Sequence, residues 1–163
     1  MTVTIRLAGA DDADAICRIH NQGIVDRIAT LDTSLRTPAG CRDWLAERDA
    51  RHPVIVADAE GATVGWASLN RFNPRTAYDH VADFSVYVER EWRGRGVGTA
   101  LLSRLIERAR ALGYHKMVLA ALAANEAGVA LYNRAGFTKV GVYREQGQLD
   151  GRWVDVVIME RLL

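Results

Sequence analysis

The chain has 163 residues, 49% hydrophobic and 25% charged, with a formal net charge of +1, so a single domain over residues 1–163 with one real core is expected. Near-neutrality sets aside a broad nucleic-acid-binding face, and no stretch approaches the ~18 uninterrupted apolar residues of a membrane span. The start "MTVTIRLAGADD" lacks a signal-peptide core, and two cysteines (Cys17, Cys41) with four scattered histidines suggest neither a disulfide framework nor a metal site, which together predict a cytoplasmic chain with reduced thiols.

In chain order, "VTIRLA" reads as a first strand, and Asp11 or Asp12 is offered as the N-cap of a helix carrying Ile16, Ile19, His20 and Ile24 at helical spacing. Thr37-Pro38 starts a second helix, cap then proline. "VIVADAEGATVGWASL" has two β-branched runs around Glu60-Gly61, a hairpin, and "NRFNPRTAYDH" is a polar connection. "VADFSVYV" alternates, with Phe84, Val86 and Val88 on one face and Asp83, Ser85 and Tyr87 on a second face read as polar. The stripe Val97, Leu101, Leu102, Leu105, Ile106, Ala109, Leu112 predicts a helix closed by Gly113. A strand "HKMVLAAL", a short helix "NEAGVALYNRAG" and strands "FTKVGVYR" and "RWVDVVIMERL" complete a mixed α/β domain, with a hairpin signal at Leu149-Asp150-Gly151.

The connection "EWRGRGVGTAL" is the most informative segment. Residues 89–116 hold seven Arg/Lys against three Glu, a local basic patch suited to a small polyanion, although Arg104, Arg108 and Arg110 read better as solvating a helix. A strand, a glycine loop and a helix N-terminus form an anion trap, because unpaired N–H groups and the helix dipole converge where glycines permit close approach. A P-loop would need Gly-Lys-Ser/Thr where Gly98-Thr99-Ala100 stands, and a dinucleotide fingerprint would need glycine in place of Thr99.

The spacing that fits is Arg93-x-x-Gly96-x-Gly98 after "SVYV", with "NEAGVALYNRAGF" downstream. On these motifs the sequence resembles, along nearly its whole length, the GNAT superfamily of acetyl-coenzyme A-dependent N-acetyltransferases. "FSVYVEREWRGRGVGTALLSRLIERAR", "IHNQGIVDRIATLDT" and "VGVYREQGQLDGRWVDVVIMERL" are similar to the phosphinothricin branch, which includes enzymes acting on methionine sulfoximine and arsinothricin, and "GIVDRIATLDTSLRTP" and "LDGRWVDVVIMERLL" most resemble its arsinothricin-type members.

The resemblance implies a strongly twisted sheet flanked by helices with splayed central strands, acetyl-CoA as donor without a metal, an amino-acid-like acceptor, and a homodimer. It assigns the pyrophosphate to the backbone of Arg93, Gly94, Arg95, Gly96, Val97, Gly98 and Thr99. The pantetheine arm falls to Val86, Tyr87 and Val88, and farther contacts to Asn125 and Arg134. Asp83 is the base candidate, where resembling enzymes carry glutamate; the alternative is an exposed strand carboxylate. Tyr132 is the acid candidate, where the branch often has histidine; the alternative is core packing. An anionic acceptor needs a cation, and Arg75 is the choice, with Asn73 and Ser85 as neighbours. Asn73 and Gln148 stand where many relatives carry basic residues. A protein N-terminus or polyamine acceptor, or a coenzyme-binding sensor without turnover, are the competing readings.

Overall fold

In a computed structural model describing residues 2–163, strand β1 (Val3–Leu7) forms one edge of a seven-stranded sheet ordered β1-β2-β3-β4-β5-β7-β6. The others are β2 (Val54–Ala59), β3 (Ala62–Arg71), β4 (Val81–Val88), β5 (Lys116–Leu122), β6 (Thr138–Leu149) and β7 (Arg152–Leu162). Every neighbouring pair is antiparallel except β4 and β5. That pair joins only at Val81↔Lys116, Ala82↔Met117 and Asp83↔Val118. Beyond Asp83 the two strands diverge, leaving one edge of Phe84–Val88 without a strand partner.

Strand alternation divides the apolar residues between two faces. Helices α1 (Ala13–Asp26) and α2 (Pro38–Ala46) cover the face of Val54, Val56 and Trp66. Helices α3 (Val97–Ala111) and α4 (Glu126–Arg134) cover the face of Ile55, Ala57, Leu69 and Phe84. The α3 stripe behaves as its spacing predicts, with Leu101, Leu102 and Leu105 fully buried, each side chain contributing about 1.5–3 kcal/mol. Its N-terminus sits low over the sheet because residue 65 is glycine. A Cβ there would lie 3.0 Å from Leu101 Cδ1 and 3.1 Å from the Tyr87 carbonyl.

Three local expectations change. Asp12 does not cap α1; it is buried and its carboxylate accepts from Arg6 (2.8 and 2.9 Å), Gly9 N (2.7 Å) and Thr63 Oγ1 (2.9 Å), tying β1 to β3. The second face of β4 is not wholly polar, because Tyr87 stacks on Trp66 at 4.9 Å and meets His20 at 4.8 Å. Strand β6 continues to Leu149, through irregular register at Lys139/Gly141 and Tyr143/Gly147, into a turn whose Asp150 and Gly151 both have positive φ (51° and 76°). Cys17 and Cys41 are free and buried between α1 and α2. No helix among the described residues is long and apolar enough to cross a membrane.

Candidate active site

The divergence of β4 from β5 organises the site. Immediately after β4, Gly94 and Gly96 have φ of 74° and 84°, and a Cβ built on either would meet no atom within 4 Å. The loop is thus left-handed where only glycine is comfortable, and the space above it is open. Val97, Gly98 and Thr99 form the first turn of α3, whose amides lack intrahelical partners; the first such bond is Ala100 N to the Gly96 carbonyl, 3.0 Å. These N–H groups and the helix dipole favour an anion there.

The loop's arginines have separate employments. Arg93 donates to Asp26 at 2.7 Å and to the Val88 carbonyl at 3.2 Å, and Arg90 donates to Asp26 at 2.7 Å. Arg90 and Arg93 hold the Asp26 carboxyl below the usual range and pin the loop to the end of α1. Arg95 is exposed, its guanidinium 5.5 Å from the Trp92 ring. Val97 is buried in the core, so only its backbone faces the loop. Arg108, read from sequence as solvated, is half-buried with Nε unpartnered.

A groove of about 380 Å³ runs from this loop along Val86, Tyr87 and Val88 to α4, with Gly98, Thr99, Asn125, Tyr132 and Arg134 in its walls. Asn125 also caps α4, its Oδ1 accepting from Gly128 N at 3.0 Å. The groove fits coenzyme A on its own features: an open glycine loop at a helix N-terminus for the pyrophosphate, and an unpaired strand edge for an extended amide-bearing arm. Among the described residues, no group of three His, Cys, Asp or Glu is arranged to hold a metal ion.

Asp83 lies at the apex of the divergence. Its Oδ1 accepts from Phe84 N at 2.7 Å, and burial pushes its carboxyl up to about 6. Its charge reaches the phenols of Tyr87 and Tyr132, both pushed up chiefly by burial, Tyr132 to about 12. Tyr132 packs edge-on to Phe84 (5.8 Å) and Phe137 (6.3 Å), the packing expected by the alternative reading, while also walling the groove.

On the α1 side of Tyr87 lies a polar cavity of about 310 Å³, reached by His20, Asp32, Arg36, Asn70 and Ser85. Asn70 stands opposite Asp83, and Ser68 opposite Ser85, in the β3–β4 register. Asn70 Nδ2 donates to Ser85 Oγ at 3.1 Å, and Ser68 Oγ donates to Asn70 Oδ1 at 3.0 Å. Asn73 and Arg75 lie elsewhere, on the turn between β3 and β4, where Asn73 Oδ1 accepts from the Arg75 amide at 3.0 Å; Arg75 is exposed, and neither residue lines the groove or the cavity. The cavity's cation is Arg36, which the sequence reading passed over. Ser68 and Asn70 did leave a signal, as polar residues on alternate positions of an otherwise apolar strand. Asp32 and Arg36 left none, because their placement depends on the course of the α1–α2 connection.

Comparison with known proteins bears on the family and the fold. The acetyltransferase (GNAT) family model matches residues 23–137. An L-methionine sulfoximine/L-methionine sulfone acetyltransferase of Pseudomonas aeruginosa is 36% identical over 162 residues, covering 98% of this chain and 94% of that protein. A phosphinothricin acetyltransferase of Sinorhizobium meliloti, solved with acetyl-CoA, superposes with a TM-score of 0.94 at 34% identity, over 100% of this chain and 89% of that one. A ribosomal-protein-alanine N-acetyltransferase of Brucella melitensis also superposes with a TM-score of 0.94, at 35% identity, over 98% and 99%. With the splayed strands, the glycine loop and these similarities together, the chain belongs to the GNAT acetyltransferase family and is an acetyl-CoA-dependent N-acetyltransferase.

Proposed function

We propose that the chain acetylates the α-amine of a small amino-acid analogue of the methionine sulfoximine, phosphinothricin or arsinothricin type, and so detoxifies it. The observation that carries this reading is the pairing of a donor groove with a small polar cavity across one shared residue, Tyr87. A cavity of about 310 Å³ suits an amino acid better than a folded protein's tail. The donor supplies an acetyl thioester when bound. Backbone amides of residues 93–99 hold its pyrophosphate, Val86–Val88 align its arm, and Asn125 and Arg134 meet it farther along.

Asp83, with a carboxyl near 6, is ionised at neutral pH yet basic enough to take the amine proton, directly or through one water. Tyr132 is protonated throughout the working range. A phenol near 12 does not surrender its proton to a sulfur whose thiol pKa is ~8.5, so Tyr132 stabilises the departing thiolate by hydrogen bonding. Arg75, with Asn73 beside it, is kept as partner for the acceptor's α-carboxylate on chemical grounds alone, since a guanidinium pairs with a carboxylate through two hydrogen bonds; the turn that carries it lines neither groove nor cavity. A homodimer and a cytoplasmic location, where acetyl-CoA is available, belong to the same reading.

The likeness to a ribosomal-protein-alanine acetyltransferase keeps a protein N-terminus as the second reading. A thiol-release assay with acetyl-CoA against methionine sulfone, methionine sulfoximine, phosphinothricin, arsinothricin, spermidine and an N-terminal peptide separates them. Turnover of the amino-acid analogues is expected. Release with the peptide alone overturns the reading, and coenzyme binding without release from any amine points to a sensor.

A further inference from the structure

The polar cavity has a charge balance that the acetyltransferase reading leaves unused. Asp32 and Arg36 enter it from the α1–α2 connection and lie 3.7 Å apart. Beneath them His20 is buried, with Nε2 3.2 Å from Asp32 Oδ2. Burial, followed by the nearby Arg36, lowers its pKa and keeps the ring neutral. The ring also packs against Trp66 and Tyr87, and the Tyr87 phenol is held neutral by burial.

A further guanidinium, Arg48, stands behind Asn70 and outside the cavity lining. Arg48 donates to Asn70 Oδ1 at 3.0 Å, and Asp83 lies opposite Asn70 in register. Among the residues lining the cavity, the Arg36 guanidinium is matched by Asp32, so no unpaired cation faces it. What remains is directional hydrogen bonding. Ser85 Oγ already accepts from Asn70, which frees its own O–H to donate. Arg36 has further N–H donors, and Asp32 has further acceptor capacity.

We infer, on the amino-acid-analogue reading above, that this cavity seats the acceptor's side-chain head group and selects an uncharged, dipolar one. A sulfone or sulfoximine oxygen accepts from Ser85 and Arg36, and a sulfoximine N–H donates to Asp32. A phosphinate or arsinate carries a full negative charge into contact with Asp32 without a free cation to offset it. Asp32 is thus the specificity-determining residue, through repulsion of the wrong head group as much as attraction of the right one.

The test measures kcat/KM for methionine sulfone, methionine sulfoximine and phosphinothricin with the wild type and with Asp32→Asn, which removes charge while retaining an oxygen for His20. The wild type is expected to favour the sulfur compounds by about 10- to 100-fold, the scale of a like-charge contact in a partly buried site. Asp32→Asn is expected to raise the phosphinothricin-to-sulfone ratio at least tenfold, and Arg36→Gln to raise KM for the sulfone. A wild-type preference for phosphinothricin overturns the inference, as does an unchanged ratio in a folded Asp32→Asn variant that still binds acetyl-CoA. The wild-type ratio decides the matter alone if the variant does not fold. Both outcomes leave the acetyltransferase reading standing; release with the peptide alone removes that reading and this inference together.

Discussion

Asp83 combines a chemical role with a stability cost. Its unfolded carboxyl ionises near 3.8, whereas burial raises the folded value to about 6. A carboxyl raised in the folded state favours folding below the unfolded pKa and loses that advantage as pH rises through about 6. By linkage the ionised form costs roughly 2–3 kcal/mol above that pH, since the shift from 3.8 to about 6 is weighted by about 1.4 kcal/mol per unit. Asp83→Asn is therefore expected to melt higher than the wild type at pH 8 and equally at pH 4. In the same variant kcat is expected to fall at least 100-fold, and the wild-type rise in kcat/KM centred near pH 6 to vanish, with coenzyme affinity nearly unchanged. A retained pH limb excludes Asp83 as the base. Tyr132→Phe is expected to cost less, about tenfold in kcat, at or below the lower end of acid–base effects, because the phenol only solvates the thiolate. A loss above 1000-fold shows instead that full proton transfer is required.

At the scale of elements, the loop-to-α3 junction does for the donor what β4 does for the acceptor. Gly96 has φ 84° at the position just before the helix. Aspartate there puts a strained backbone, a side chain and a negative charge where the pyrophosphate belongs. Gly96→Asp is expected to weaken coenzyme binding at least 100-fold by calorimetry while the melting temperature falls only a few degrees; intact binding contradicts the loop assignment.

This junction was legible in sequence because its determinants are local: glycines at fixed offsets, the alternation of "SVYV" and the stripe from Val97 to Leu112. Asp83 was legible for the same reason, as a polar residue on an alternating strand. The cavity was not. Asp32 and Arg36 reach it only because the α1–α2 connection folds back over Trp66 and Tyr87, and no periodicity encodes that path. Length was also hidden in β6, where Gly141 and Gly147 interrupt the register and read locally as strand ends.

For the whole molecule, the two sheet edges differ in what they offer a second copy. Strand β1 has five residues, and its Arg6 is occupied by Asp12 and Asp58. Strand β6 has twelve residues, leaves Val140 and Tyr143 more than half exposed, and lies beside an exposed Trp153 on β7. Long edges with exposed apolar residues are the ones that pair or aggregate unless covered. The proposed homodimer, if built through the β6–β7 hairpin, would cover this one; sedimentation is then expected to give twice 18.0 kDa, with Trp153→Arg reverting the protein to a monomer. The consequence reaches the active site. The hairpin tip touches the α1–α2 connection, through Arg27 Nε to Asp150 (3.2 Å) and through Leu31, whose Cδ2 lies 2.7 Å from where a Cβ on residue 147 would stand. That connection carries Asp32 and Arg36, so loosening the hairpin loosens the acceptor cavity and leaves the glycine loop intact. Trp153→Arg is therefore expected to raise the acceptor KM several-fold with little change in coenzyme affinity. A monomeric wild type at micromolar concentration removes the dimer from the proposed function, and a monomeric variant with unchanged acceptor KM removes the coupling.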